Sequence, residues 1–508
     1  MRTRAALVAL WLPLAAAAEE PLSAIDWLGQ AHPASLPGPV LLEPPVAEHA
    51  LGPEIEVSPL EALAPPLGLV PPEVTGLPVD LWHGSDARQL TRLIAAAPVE
   101  TSPAMQALFY TLLLAEKRPP PGASRQASEA LLLAQIDRLI DLGATDPALA
   151  LTELAGPTRS RALFRRWFDT TLLTGQEDDS CAALEAQPHL APDFAATIFC
   201  TLRSGDWQTA ALTLETAHAL ELLPRPQLDL LDRFLSPEIF EGAPPLPAPD
   251  APDPLTFRLF EAIGERLPST RLPRAFANAD LRDLAGWKAQ IEAAERLTRI
   301  GALNPNKLLG LYTERAPAAS GGVWDRVAAV QRFDTALDTG SAEAVAKTLP
   351  PVWDQIRAAG LEVPFAHLFA ERLAAYPLTG SAGALAWRVR LLSPGYETAA
   401  HTPPDDGGDT AFLATLAQGA PGAAAPPDDR AQAISEGFSR TAKPPQELQS
   451  ALDDGRLGEV ILRGISLFDS GARGNPADLA AALATLRAIG LEDTARRGAL
   501  QLMLIGRT

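Results

Sequence analysis

The chain has 508 residues, 47% of them hydrophobic and 20% charged, with 42 Lys and Arg against 62 Asp and Glu for a formal net charge of −20. That length allows about three domains of roughly 150 residues each, and no stretch after residue 18 is apolar enough to cross a bilayer. So acidic a chain repels phosphates and anionic lipid headgroups, which excludes nucleic acid as a partner without a local basic patch, and no such patch is found.

Residues 1–18, MRTRAALVALWLPLAAAA, carry Arg2 and Arg4, an apolar run from Ala5 to Leu14 and small residues ending at Ala18. This order predicts a cleaved signal peptide and a periplasmic or extracellular address. Its removal takes away two arginines and no acid, deepening the charge from −20 to −22. No cysteine opens the mature chain, so no lipid anchor is expected.

Residues 19–80 read as a proline-rich extended arm, because repeated prolines remove amide donors and fix φ. Apolar residues such as Val40, Leu41, Leu67 and Val70 keep it from being a plain linker, and Ile55 and Val57 alternate with Glu54 and Glu56 as in a strand. Docking on its own chain, disorder and partner binding all stay open for this arm.

From residue 81 to 241 amphipathic helices follow one another, punctuated by Gly or Pro. SDARQLTRLIAAA opens on a serine cap and puts Leu90, Leu93 and Ile94 on one stripe. The only cysteines, Cys181 and Cys200, lie nineteen residues apart in two short helices separated by QPHLAP. In an oxidising compartment such a pair reads as one disulfide stapling a helical hairpin. No neighbouring ligand set makes a zinc site, and the spacing is not that of a redox dithiol.

Residues 242–254, GAPPLPAPDAPDP, form a linker. Helical block 2 covers 255–401 and includes PPVWDQIRAAG among its helical segments. Residues 402–429 are a proline- and acid-rich linker region around one short helix, and block 3 covers 430–508. Strand signals are sparse after residue 80, so the expected class is all-α, with antiparallel helical hairpins stacked as an irregular α-solenoid.

Four helices end in similar words, at Gly143, Gly301, Gly360 and Gly490: a glycine takes the left-handed backbone, an apolar residue follows, and the next helix opens. Their separations are unequal, so any repeat is degenerate. The sharpest local pattern is SGDWQTAALTLETAHAL, in which Gly205, Trp207, Ala210, Leu214 and Ala217 keep the spacing that resembles the middle of a tetratricopeptide repeat. The resemblance covers about 30 residues; the preceding helix lacks the family's Leu-Gly pair, and in the fainter echo DDGRLGEVILRGISLF Gly464 replaces the large residue. It implies a tetratricopeptide-like solenoid, with a non-repeating helical array as the alternative. In composition the whole chain resembles large Ala-, Leu- and Pro-rich secreted proteins of Gram-negative bacteria.

No catalytic, cofactor-binding or metal-binding residues emerge. The seven histidines are scattered, and no phosphate loop, nucleophile elbow, zinc-protease word or dinucleotide fingerprint occurs. The Glu-Ser pair of lytic transglycosylases is absent as well. Glu177, Asp178 and Asp179 read as a solvated helix cap, Ser320-Gly321-Gly322 as a flexible turn with a serine cap, and the tryptophans, Trp207 among them, as core anchors. The expected function is a non-enzymatic envelope scaffold binding a protein or peptide partner across a helical-repeat surface without cofactors. The alternative is a peptidoglycan-associated enzyme or enzyme regulator.

Overall fold

The computed structural model describes residues 65–505 except 283, 318 and 406. The signal-like segment and the arm up to residue 64, with Ile55 and Val57, lie outside these residues. Within them the chain is all-α, with 25 α-helices and no strand; two isolated bridges, Leu67 with Lys117 and Val70 with Ala115, are the only β pairing. The later part of the arm lies on its own chain: Leu67 and Lys117 exchange backbone hydrogen bonds of 3.0 and 3.1 Å, and Arg118 N–H donates to Val79 O at 2.8 Å.

Local chemistry explains most helix ends. The helix Ala87–Ala96 is capped by Asp86, whose Oδ1 accepts from Gln89 N–H at 2.8 Å. Ser85, the expected cap, stands one residue too early, and its buried hydroxyl finds no partner. Gly143, Gly301, Gly360 and Gly490 all take positive φ, between 66° and 84°, as helix-ending glycines should. PPVWDQIRAAG closes a longer helix: Ala342–Ala359 runs straight through Pro350 and Pro351. The two missing amides cost hydrogen bonds, but Val345, Leu349, Val352, Trp353 and Ile356 are buried and hold the helix on both sides of the pair.

Three main apolar cores result. The first draws on residues 77–163, Ile300 and 387–502, so it joins the first sequence block to the end of the second, to the 402–429 stretch and to the third. Across it Ala104 N–H donates to Gln501 Oε1 at 2.8 Å, and Thr101 Oγ1 donates to Asp469 Oδ1 at 2.8 Å. In an open solenoid each hairpin touches only its neighbours; here the helix Pro103–Leu114 packs on the helix Glu492–Ile505. The second core spans Leu149 to Ala279 and contains the cysteine hairpin. The third spans Trp287 to Leu392, and beside it Tyr312 donates to Glu295 Oε1 at 2.8 Å while Arg326 grips the same carboxylate at 2.7 and 2.5 Å.

The composition-poor segments are tied to these cores. Arg233 donates to Pro244 O at 2.7 Å and Leu246 N–H to Glu265 Oε2 at 2.7 Å, fastening the 242–254 stretch. Between 402 and 429 the helix Gly408–Ala417 buries Phe412 and Leu416 completely.

Candidate partner-binding face

Two helices, Glu177–Ala186 and Phe194–Arg203, form the cysteine hairpin, with a short 3-10 turn at Pro188–Leu190 between them. Cys181 and Cys200 are bonded, their Cα atoms 4.9 Å apart, and both are buried in the second core. The mouth of the hairpin is closed by charge. Glu177 is buried, 2% exposed, and ion-paired with Arg258 at 2.5 Å and Arg203 at 3.3 Å. The solvated-cap expectation therefore fails for Glu177: its side chain turns inward where two arginines offset the cost of burying a carboxylate. Asp178 does remain exposed, in a pair with Arg203.

Gly205, at φ 90°, makes the tight turn into the helix Trp207–Ala219. Ala210, Leu214 and Ala217 are buried at 0, 4 and 0% exposure, and this stripe lets the helices on either side, Phe194–Arg203 and Arg225–Leu235, come close. Trp207 departs from the expectation of a core anchor. It is 49% exposed, and its indole N–H donates to Leu235 O at 3.2 Å. At 100° per residue its position lies about 50° off the centre of the buried stripe, so the ring lands at the rim and closes the end of the next helix. Trp82, Trp167, Trp287, Trp353 and Trp387 are buried as anchors, and Trp324 is half-buried.

Opposite the stripe the helix presents Leu212, 66% exposed, with Glu215 and Ala219 on the same face. Beyond its end Leu220 and Leu222 are also exposed, at 63 and 37%. Of the nine large apolar residues exposed among the described ones, six lie between 194 and 239: Phe194, Trp207, Leu212, Leu220, Leu222 and Ile239. Periodicity read from this sequence could not find them, because scattered leucines on a helix carry no mark of which will be left uncovered.

The concave places are small. A cleft of about 300 Å³ is lined by Asp137, Asp141, Asp169, Arg165, Arg166 and Thr170 with apolar residues such as Phe276. Arg166 holds Asp137 through two bonds of 2.7 and 2.8 Å. Burial, with Asp253 and Asp193 adding negative charge, pushes Asp169 up to about 7 against the opposing pull of Arg165 and Arg166. A second groove of about 410 Å³ between the helices Gln446–Asp453 and Leu457–Ala472 is lined by Glu447, Arg456, Arg463 and the buried Glu459, which both arginines pair.

Among the described residues no three His, Cys, Asp or Glu side chains gather as metal ligands. His218 contacts Asp232 at 3.1 Å. The Ser320-Gly321-Gly322 turn is closed by Asp325 rather than by a serine cap: Gly321 N–H donates to Asp325 Oδ1 at 3.0 Å. No helix is long and apolar enough to cross a membrane among the described residues. Comparison with protein-family models, curated proteins and solved structures gives no match.

Proposed function

We propose that the chain is an exported, non-enzymatic scaffold of the cell envelope that binds a protein partner through the outer edge of its helical hairpins. One observation carries this reading: six of the nine exposed large apolar side chains gather between residues 194 and 239, on consecutive hairpins of one core. Exposed apolar side chains scattered singly need no explanation, whereas their concentration marks an interaction surface. The tetratricopeptide-like pattern of Gly205, Ala210, Leu214 and Ala217 supports a hairpin whose inner face packs while its outer face stays free. The signal-like residues 1–18 and the Cys181–Cys200 bond support an oxidising, exported location. The test is affinity capture from envelope extract with the native chain and with a Leu212→Ser, Leu220→Ser, Leu222→Ser variant of equal melting temperature. One identified partner should be captured by the native chain alone, and hydrogen exchange should slow at 207–222 in the complex. Equal capture by both rejects the reading.

A second reading rests on Asp169. A carboxyl raised to about 7 in a cleft that arginine-held Asp137 also lines is suited to donate a proton near neutral pH, so the cleft supports a peptidoglycan-associated enzyme or regulator. Loss of muropeptide release, or of stimulation of a hydrolase, in Asp169→Asn would select this reading; no activity in the native chain would discard it.

A further inference from the structure

The proposed face differs from the rest of the molecule in charge as well as in its uncovered leucines. Between residues 177 and 241 stand twelve acids and three arginines, a formal charge of −9 in 65 residues out of −20 for the whole chain. Each of the three arginines is already committed: Arg203 to Glu177 and Asp178, Arg225 to Asp229, Arg233 to Glu265. Asp179, Glu185, Glu215, Glu221, Glu238 and Glu241 are exposed, and no basic side chain among the described residues pairs with them. Glu215 lies one turn along from Leu212, and Glu221 stands between Leu220 and Leu222.

Glu221 adds a separate observation. The helix Trp207–Ala219 closes with Leu222 N–H on Ala217 O at 3.0 Å and Glu221 N–H on His218 O at 3.3 Å. The helices ending at Gly143, Gly301, Gly360 and Gly490 close with the same pair of bonds, and glycine holds the left-handed position each time. Here glutamate holds it, at φ 50°, the one non-glycine with positive φ among the described residues. Glycine relieves this backbone without cost, so a glutamate kept there is strain stored at an exposed point.

Resting on the reading of this edge as a docking face, we infer that its partner is a cationic amphipathic protein segment, with Lys or Arg side chains against Glu215 and Glu221 and apolar side chains against Leu212, Leu220 and Leu222. Charge of this sign and density repels anionic lipid and nucleic acid and steers a basic segment inward. Glu221, exposed and held in the left-handed region, stands in sequence between the exposed Leu220 and Leu222.

The probe is a fluorescein-labelled 14-residue peptide of Leu and Lys with helical spacing, titrated against the full chain by fluorescence anisotropy, beside its isomer with Glu in place of Lys. The cationic peptide should bind, and binding should weaken about tenfold between 50 and 300 mM salt. Leu212→Ser with Leu220→Ser should weaken it tenfold or more, as should Glu215→Lys with Glu221→Lys. Asp354→Lys with Glu371→Lys, an equal change of net charge at exposed acids elsewhere, should leave it within twofold. Glu221→Gly should loosen binding about threefold while raising the melting temperature by about 1 °C, a pair of opposite changes that a purely structural residue would not give. An effect of the distant reversal equal to that of the local one, an unchanged affinity in Glu221→Gly, or binding to phosphatidylglycerol vesicles in place of the peptide would overturn the inference. If the anionic isomer binds instead and the leucine variant abolishes it, the charge assignment falls while the docking reading stands; if neither peptide binds and the leucine variant still captures the native chain's partner, both fall.

Discussion

Gly458 lies against the indole of Trp82: its N–H donates to Leu81 O at 3.0 Å, and a Cβ placed on it would clash with Cε3 and Cζ3 of the Trp82 ring. This is where the first and last parts of the described chain meet: Trp82, a member of the first core, stands in the turn before the helix Ala87–Ala96, and Gly458 in the first turn of the helix Leu457–Ala472. The contact needs a residue without a side chain for reasons of space alone, because Gly458 sits in the first turn of the helix Leu457–Ala472 with ordinary helical backbone.

Gly458→Ala should therefore destabilise the protein by about 1–3 kcal/mol, as overpacking of a tight contact does, even though alanine is the better helix former. Gly464→Ala in the same helix is the control. A Cβ there would meet Leu486 and Thr485 no closer than 3.9 Å, so only the propensity term remains and stability should rise by up to about 1 kcal/mol. Denaturant midpoints of the two variants should move in opposite directions; a shared sign would refute the space argument.

Asp169 should make stability depend on pH. Its carboxyl is raised from 3.8 to about 7, so between these values the folded protein holds a proton that the unfolded chain has lost. That contribution is fully present below about pH 4 and fades as pH climbs through 7. Asp169→Asn cannot lose a proton, so the melting temperature of the variant relative to the native chain should rise from pH 5 to pH 7.5. A constant difference across that range would show that Asp169 is solvated like an ordinary aspartate.

How far the sequence could be read depended on distance along the chain. Cys181 and Cys200 were legible because one short turn separates their helices, and Gly143, Gly301, Gly360 and Gly490 because a glycine that ends a helix acts on its own four or five neighbours. The Gly458–Trp82 contact and the Ala104–Gln501 hydrogen bond were not, since helical periodicity says which face is apolar but not which distant helix covers it. Trp207 was misread for a finer reason: the repeat-like spacing fixed the stripe of Ala210, Leu214 and Ala217, yet the aromatic at the first helical position sits at its rim. Nor did the words around Leu212, Leu220 and Leu222 mark them as uncovered, which only the packing of the neighbouring hairpins decides.

Cutting the disulfide should cost stability without dissolving the hairpin. Cys181→Ser with Cys200→Ser releases a nineteen-residue loop, for which chain-entropy reasoning gives about 3 kcal/mol, a model-dependent figure. Both serine hydroxyls would also be buried in an apolar core, adding to the loss. Guanidinium unfolding of the native chain with and without reductant, beside the variant, isolates the bond: the reduced native protein should lie between the other two. If all three coincide, the hairpin is held by its packing and ion pairs alone.

Glu177 offers the sharpest contrast between neighbouring charges. Arg258 and Arg203 both point at its buried carboxylate, and Arg258 is itself mostly buried and also paired with Glu261. Removing Glu177 leaves buried Arg258 with Glu261 and Arg203 with Asp178, so the loss is that of buried charge-assisted hydrogen bonds, about 1.5–3 kcal/mol. Glu177→Ala should therefore lower the denaturant midpoint steeply, whereas Asp178→Ala, one residue on and 80% exposed in its pair with Arg203, should change stability by less than about 0.5 kcal/mol. Because Glu177 and Arg203 close the same hairpin that the cysteines staple, the Glu177 and disulfide losses should not add: with the bond cut, the hairpin mouth can open and hydrate Arg258, so the combined variant should lose less than the sum. A strictly additive double variant would mean that the ion pair and the disulfide stabilise separate parts of the second core.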